Sequence, residues 1–168
     1  MIERPRLLED EDFGALLAAA SPRVFAYIRV SERRLEDAEG VMGETVERAY
    51  RAWSMGKRPR GEGLPWLLLI ARRLIIDRSR RRMLMAKLLL RRPPDHQDRT
   101  VPESEERLWF GQLAAVLTAR QFEALVLRYL FDLGDREIGG ILRLSPSGSR
   151  TLISRAIATL RAHPEVTE

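Results

Sequence analysis

Apolar side chains recur every three to four residues along most of this chain, and the period-two alternation of half-buried strands is missing. The clearest pattern spans residues 36–53. There Ala38, Val41, Met42, Thr45, Val46, Ala49 and Trp53 fall at i, i+3, i+4, i+7 spacing, which predicts one buried stripe on an amphipathic helix. Its opposite face is acidic, with Glu36, Asp37, Glu39, Glu44 and Glu47. Two shorter helices are predicted before it, at 12–20 and from Pro22 to about Val30. A loop rich in Gly, Pro and Arg follows at 54–63. Pro65 suits the first position of a further helix, which packs Leu67, Ile70, Ala71 and Leu74. The other face of that helix carries Arg72, Arg73, Arg78 and Arg80 to Arg82. It runs to about Leu90, ahead of Pro93 and Pro94. The N-terminal part therefore reads as four helices.

Residues 93–105 hold three Pro and several acids with hardly any apolar side chain, the composition of a linker. A second apolar pattern starts at Leu108. It predicts a helix over 108–117, then a capping box from Thr118 to Gln121 that opens a helix with Phe122, Leu125, Val126 and Tyr129 inward. A break at 132–134 leads into a helix at 135–142 and a tight turn, Arg143-Leu144-Ser145-Pro146. Ser145 is a good N-cap and Pro146 a good first residue for a last helix ending near Ala162. The fold class is all-α: two small helical domains, 1–90 and 106–168, joined by a flexible linker at 91–105, the C-terminal one a helix-turn-helix.

Composition strengthens the helical reading, since Leu, Ala, Arg and Glu dominate the 168 residues. The formal net charge is +5, and Lys57 and Lys87 are the only lysines among 29 basic residues. Arg offers a planar fork that suits phosphates and guanine edges, although a GC-rich genome would also favour it. Charge is unevenly placed. Residues 31–53 hold more acids than bases, whereas 54–92 hold twelve Lys or Arg against Glu62 and Asp77. The absence of Cys excludes disulfides, thiolate metal sites and a Cys nucleophile. Neither His has a metal-ligand neighbour in sequence, so no metal or cofactor is expected. No signal peptide is evident, and the longest apolar run, 64–71, is too short to span a bilayer. A cytoplasmic protein without membrane insertion is expected.

Two segments carry chemistry suited to nucleic acid. The helix pair 135–161 places Ser147, Ser149, Arg150, Thr151, Ser154, Arg155 and Arg161 on one side of its second helix. In a helix-turn-helix the N-terminal half of that helix enters the major groove. An ordinary helical hairpin with a solvated basic face would look the same. The basic stretch, with Lys57, Arg58 and Arg60 in its loop and Arg72, Arg73 and Arg78 on its helix, suits a phosphate backbone and a salt-dependent affinity. Trp53 and Trp66 bracket the loop. Both lie next to apolar stripes, which favours core packing over stacking on a base. The acidic face of 36–53 is either solvated or a docking surface for a basic protein. No clustered carboxylates, phosphate loop or metal-ligand spacing supports an enzyme.

Taken in order, these segments resemble an extracytoplasmic-function sigma factor, the smallest class of bacterial sigma factor. SPRVFAYI (21–28) resembles the opening helix of the family's region two, and DAEGVMGETVERAY (37–50) its polymerase-binding helix. LPWLLLIARRLIID (64–77), with Arg78 to Arg82, resembles the helix that reads and melts the minus-ten element. LTARQFEALVLRY (117–129), with the helix-turn-helix behind it, resembles region four. The resemblance implies that Asp37, Glu39, Glu44 and Glu47 contact the coiled coil of the largest subunit of core RNA polymerase. It implies that the loop 54–63 captures a flipped base of promoter DNA, that Arg72, Arg73 and Arg78 hold the strand, and that Arg150, Ser154 and Arg155 read or clamp the minus-thirty-five element. An anti-sigma protein covering these surfaces is the further partner it implies.

The chain departs from the family pattern at several positions. Gly40 and Gly43 stand in the docking helix, where glycine costs about 1 kcal/mol each relative to Ala. Arg73 replaces the usual Asn. Gly139 fills the small-residue position of the first helix of the pair and is followed by Gly140, Arg143 occupies a turn position often filled by Gly, and Ser149 stands at an inward apolar position. These departures leave open a second reading, a stand-alone or sigma-like helix-turn-helix regulator with weak or lost polymerase docking.

Overall fold

The computed structural model describes the backbone of residues 6–88 and 105–166 and the side chains of 12–88 and 109–166. The chain divides into two compact units, Met1–Pro93 and Pro94–Glu168. The linker expected at 91–105 lies outside the described residues apart from the backbone of Glu105. Every regular element among the described residues is helical.

Among the described residues the first unit contains three helices: α1 (Arg6–Ser31), α2 (Leu35–Ser54) and α3 (Gly63–Leu88). Each packs on the other two. The two helices expected before residue 31 are one, with Pro22 inside it. Proline removes a backbone donor and crowds the preceding turn, at a cost of about 3 kcal/mol in a helix interior. The apolar stripe nevertheless runs through it. Phe13 and Ala20 before the proline, and Val24, Tyr27 and Ile28 after it, are all buried. Packing of that stripe on α2 and α3 holds the helix continuous across Pro22. Residues Asp12–Ser31 are long and apolar enough to cross a membrane by length and composition alone. Their buried stripe packs on α2 and α3.

α2 buries Ala38, Val41, Thr45, Ala49 and Trp53, as the spacing predicts, with Met42 and Val46 half-buried beside them. Thr45 satisfies its buried hydroxyl by donating to Val41 O at 2.7 Å. α3 buries Leu64, Leu67, Leu68, Ala71 and Leu74. Its last two turns lie open, with Met83, Leu84, Met85 and Leu88 each more than half exposed.

The second unit contains α4 (Glu105–Val116), α5 (Ala119–Leu125), a π-helical turn (Val126–Leu130), α6 (Asp135–Leu142), α7 (Pro146–Arg161) and a short 3-10 turn (Pro164–Val166). The capping box forms: Gln121 N donates to Thr118 Oγ1 at 3.2 Å, and Thr118 N to Gln121 Oε1 at 2.9 Å. Leu113, Leu117, Ala156 and Val166 form one core cluster, with Phe122, Leu125 and Leu160 packed against it. Tyr129, expected inward, is 66% exposed. The π turn is the reason. Its wider i→i+5 bonding shifts the register, so that Val126, Leu127 and Phe131 point inward and Tyr129 swings out.

The glycines differ in what they do. A Cβ on Gly43 or Gly140 would meet nothing within 4 Å. Both sit in helices, so Gly43→Ala and Gly140→Ala are each expected to stabilise by about 1 kcal/mol, read as a rise in Tm during thermal unfolding. At Gly40 a Cβ would lie 3.3 Å from both terminal nitrogens of Arg78, so this glycine lets the Arg78 guanidinium lie against α2.

Candidate nucleic-acid interface

The recognition turn is built from three local devices. Ser145 caps α7 by accepting from Gly148 N at 3.0 Å, and Pro146 occupies the first turn, as the sequence predicts. Arg143 ends α6 in the left-handed region at φ 56°, the conformation for which glycine is the usual choice. Leu144 N then donates back to Gly139 O at 2.8 Å. That bond brings the Leu144 carbonyl to 2.6 Å from where a Gly139 Cβ would stand. Gly139 is therefore the residue that lets α7 come so close to α6.

Ser147, Arg150, Thr151, Ser154 and Arg155 are all exposed on α7. Ser149 is not. It is fully buried, and its Oγ donates to Ser145 O at 3.2 Å. At i, i+4 and i+7 it shares the inward face with Ile153 and Ala156. Ser149 is thus a packing residue of the turn, and its expected place among the DNA-facing residues is corrected. A shallow cleft beside the α7 N-terminus is lined by Arg120, Ser145, Ser147, Gly148, Thr151 and Arg155. Arg120 had no sequence signal. Its Nη2 donates to Leu142 O at 2.7 Å, capping the open end of α6 from another helix.

Asp135 opens α6 and accepts from two arginines: Arg150 Nε at 3.1 Å on one oxygen and Arg128 Nη2 on the other. The Arg150 hydrogen bond, then the charge of Arg128, hold its carboxyl below the ordinary value against some desolvation. A depressed folded pKa gives stability that is full above the unfolded value and lost as pH falls through the folded one. Asp135→Asn should therefore lower Tm near neutrality, and the difference should shrink as the pH drops below the ordinary carboxylate range.

In the first unit the basic residues separate into two groups. Lys57, Arg60 and Arg73 are exposed, and Arg72 is half-buried. Arg72 and others are engaged. The Arg58 guanidinium lies 4.6 Å over the Trp53 ring. Trp53 is itself buried against Phe13 and Trp66, with ring centroids 5.5 and 6.4 Å apart. Arg78 donates to Asp37 O at 3.4 Å and to Glu44 Oε2 at 3.5 Å. Arg82 forms a fork with Glu32, at 2.9 and 3.0 Å.

The acidic face of α2 is correspondingly mixed. Glu39 and Glu47 are exposed, and Asp37 and Glu44 are half-buried. Glu44 also pairs with Arg48 at 2.8 Å, and Glu47 with Arg51 at 2.7 Å, both at i, i+4. Exposed pairs of this kind contribute about 0.3–0.5 kcal/mol, so a partner can exchange them at little cost.

Comparison with known proteins agrees with this division. The model of sigma-70 region 2 matches residues 16–84, and that of sigma-70 region 4 matches residues 107–160. The extracytoplasmic-function RNA polymerase sigma factor BldN of Streptomyces coelicolor is 29% identical over 170 aligned positions. The match takes in 95% of this chain and 63% of BldN, so the chain spans somewhat less than two thirds of that relative's length. The sigma factor RpoE of Bartonella quintana, solved with the anti-sigma factor NepR, superposes with a TM-score of 0.74 at 18% identity, covering 94% of this chain and 99% of RpoE. At that identity the likeness is one of fold.

Proposed function

We infer, because this chain belongs to the sigma-70 family and to its extracytoplasmic-function class, that it binds core RNA polymerase and directs promoter recognition and opening. The observation that carries this reading is the pair of region matches, in family order, on two helical units that each expose arginine beside polar side chains. On this reading 1–90 serves polymerase docking and the minus-ten element, 106–168 the minus-thirty-five element, and 91–105 connects them.

Within that reading, the α2 face with Glu39 and Glu47 meets the basic coiled coil of the polymerase, with Asp37 and Glu44 at its edge. Lys57 and Arg60 lie in the loop that receives a flipped base, and Arg72 and Arg73 follow the strand backbone. Arg58 and Arg78 act mainly by shaping this surface, since one lies on Trp53 and the other against α2. Ser147, Arg150, Thr151, Ser154 and Arg155 face the upstream duplex. Unstacking a base costs a few kcal/mol, and contacts to phosphates and polymerase offset it. The chain acts by binding and positioning, so it is not an enzyme and needs no cofactor. Its place is the cytoplasm, where polymerase and promoter meet. An anti-sigma protein, such as the one bound to RpoE, is the regulatory partner this class leads us to propose.

Selection from randomised duplex DNA, with and without core polymerase, tests the reading. Enrichment of a two-part element only when polymerase is present is expected. Enrichment of one site by the chain alone would instead establish a stand-alone helix-turn-helix regulator.

A further inference from the structure

The Arg150 side chain is 71% exposed on α7, yet it is not loose. Its Nε donates to Asp135 Oδ2 at 3.1 Å. The other oxygen of Asp135 accepts from Arg128 Nη2. Arg128 lies in the π turn, Asp135 at the start of α6 and Arg150 in the first half of α7, so one carboxylate ties three segments together. Among the described residues, Arg150 makes no other side-chain hydrogen bond, which leaves Nη1 and Nη2 available as a two-donor fork.

That division of donors has a consequence for base reading. A guanine presents O6 and N7 to the major groove, and two parallel donors from one guanidinium match them. A free arginine spreads over many rotamers and carries about 2 kcal/mol of side-chain entropy to lose on binding. Holding Nε on a fixed carboxylate removes part of that freedom beforehand and points the terminal fork outward. Asp135 suits this task because its charge is already shared with Arg128, which keeps the carboxylate from drawing the rest of Arg150 down onto it.

We propose that Asp135 is a positioning residue which orients Arg150 for two-bond recognition of a guanine, so that base preference at one promoter position depends on a carboxylate that touches no DNA. The proposal rests on the reading that α7 enters the upstream major groove. Without the tether, Arg150 still carries its charge to the DNA and binds phosphate or base without distinction.

The test uses the full chain reconstituted with core RNA polymerase and a promoter library randomised upstream. Wild type is compared with Arg150→Ala, Asp135→Asn and the double variant, each first checked for folding by thermal unfolding. Asp135→Asn keeps the α6 start, because the bond from Gly134 N to Glu137 Oε2 at 2.7 Å does not involve it. Arg150→Ala is expected to lose guanine preference at one position by roughly tenfold. Asp135→Asn should lose roughly threefold at that same position, and nothing further once Arg150 is absent, as coupled residues do. Arg128→Lys, which leaves the Arg150 tether in place, should keep the preference. A uniform loss across all sequences in Asp135→Asn would make it a purely structural residue and overturn the proposal. A loss that persists in the Arg150→Ala background would overturn it too. If Arg150→Ala weakens all sequences alike and flattens the salt dependence, Arg150 holds a phosphate and the proposal falls while the groove reading stands. If the wild type selects no upstream element, the groove reading itself falls.

Discussion

Gly139→Val is expected to destabilise the second unit by about 3 kcal/mol, the upper end of the usual cost of overpacking. The obstruction is a backbone carbonyl, Leu144 O, 2.6 Å from where the new Cβ would stand, with Ser149 Oγ at 3.1 Å. A flexible side chain would give way. This carbonyl is fixed by the turn, because Leu144 N bonds to Gly139 O and Ser145 caps the next helix. Relief therefore requires α7 to move off α6 and lose the packing of Ile138, Leu142 and Ile153. Small domains have only several kcal/mol of total stability, so the loss should be conspicuous in a chemical unfolding curve. Gly140→Ala is the matched control, since its Cβ meets open space and stability should rise.

Arg82→Ala is expected to cost the first unit about 2 kcal/mol. Glu32 is 3% exposed, and Arg82 satisfies both of its oxygens. Breaking a fully buried pair costs about 3–5 kcal/mol because one charge is left without compensation. Arg82 itself is roughly half exposed, so water can reach part of the vacated site and the figure is reduced accordingly. The bond to Glu32 also holds the Arg82 guanidinium above its ordinary pKa. Replacing both residues, Glu32→Leu with Arg82→Leu, should recover most of the loss, because apolar pairs often substitute for buried ion pairs without penalty. Urea unfolding of the four proteins gives the coupling directly.

The helices and the helix-turn-helix were legible because their signals are local. The stripe of α2, the Thr118 capping box and the Ser145-Pro146 start all act within a few residues and appear where the spacing places them. What was misread depends on distant partners or on a break in period. Pro22 predicts a helix boundary, yet the apolar stripe across it outweighs the local cost. Tyr129 follows the α-helical period until the π turn changes it. The chemistry of Ser149 groups it with the surface hydroxyls, whereas the family pattern and its spacing with Ile153 and Ala156 both mark the inward face, which is where it lies.

Among the arginines of α3, sequence cannot separate those turned inward from those left outside. Arg78 meets Glu44 and Arg82 meets Glu32 across 34 and 50 residues of chain. These pairings engage Arg78 and Arg82 within the first unit, while Lys57, Arg60 and Arg73 stay exposed. They also explain Gly40, a departure from the family pattern that makes room for Arg78.

Glu39 and Glu47 are the cleaner probes of the docking face, because Glu44 also takes part in packing α2 on α3. The central claim is that this chain is a polymerase subunit, and its most direct test is co-purification of the full chain with core RNA polymerase, wild type against the double reversal Glu39→Arg with Glu47→Arg. The account predicts a stable complex for the wild type and its loss in the reversal, with thermal unfolding little changed. A wild-type chain that fails to bind core polymerase would contradict it.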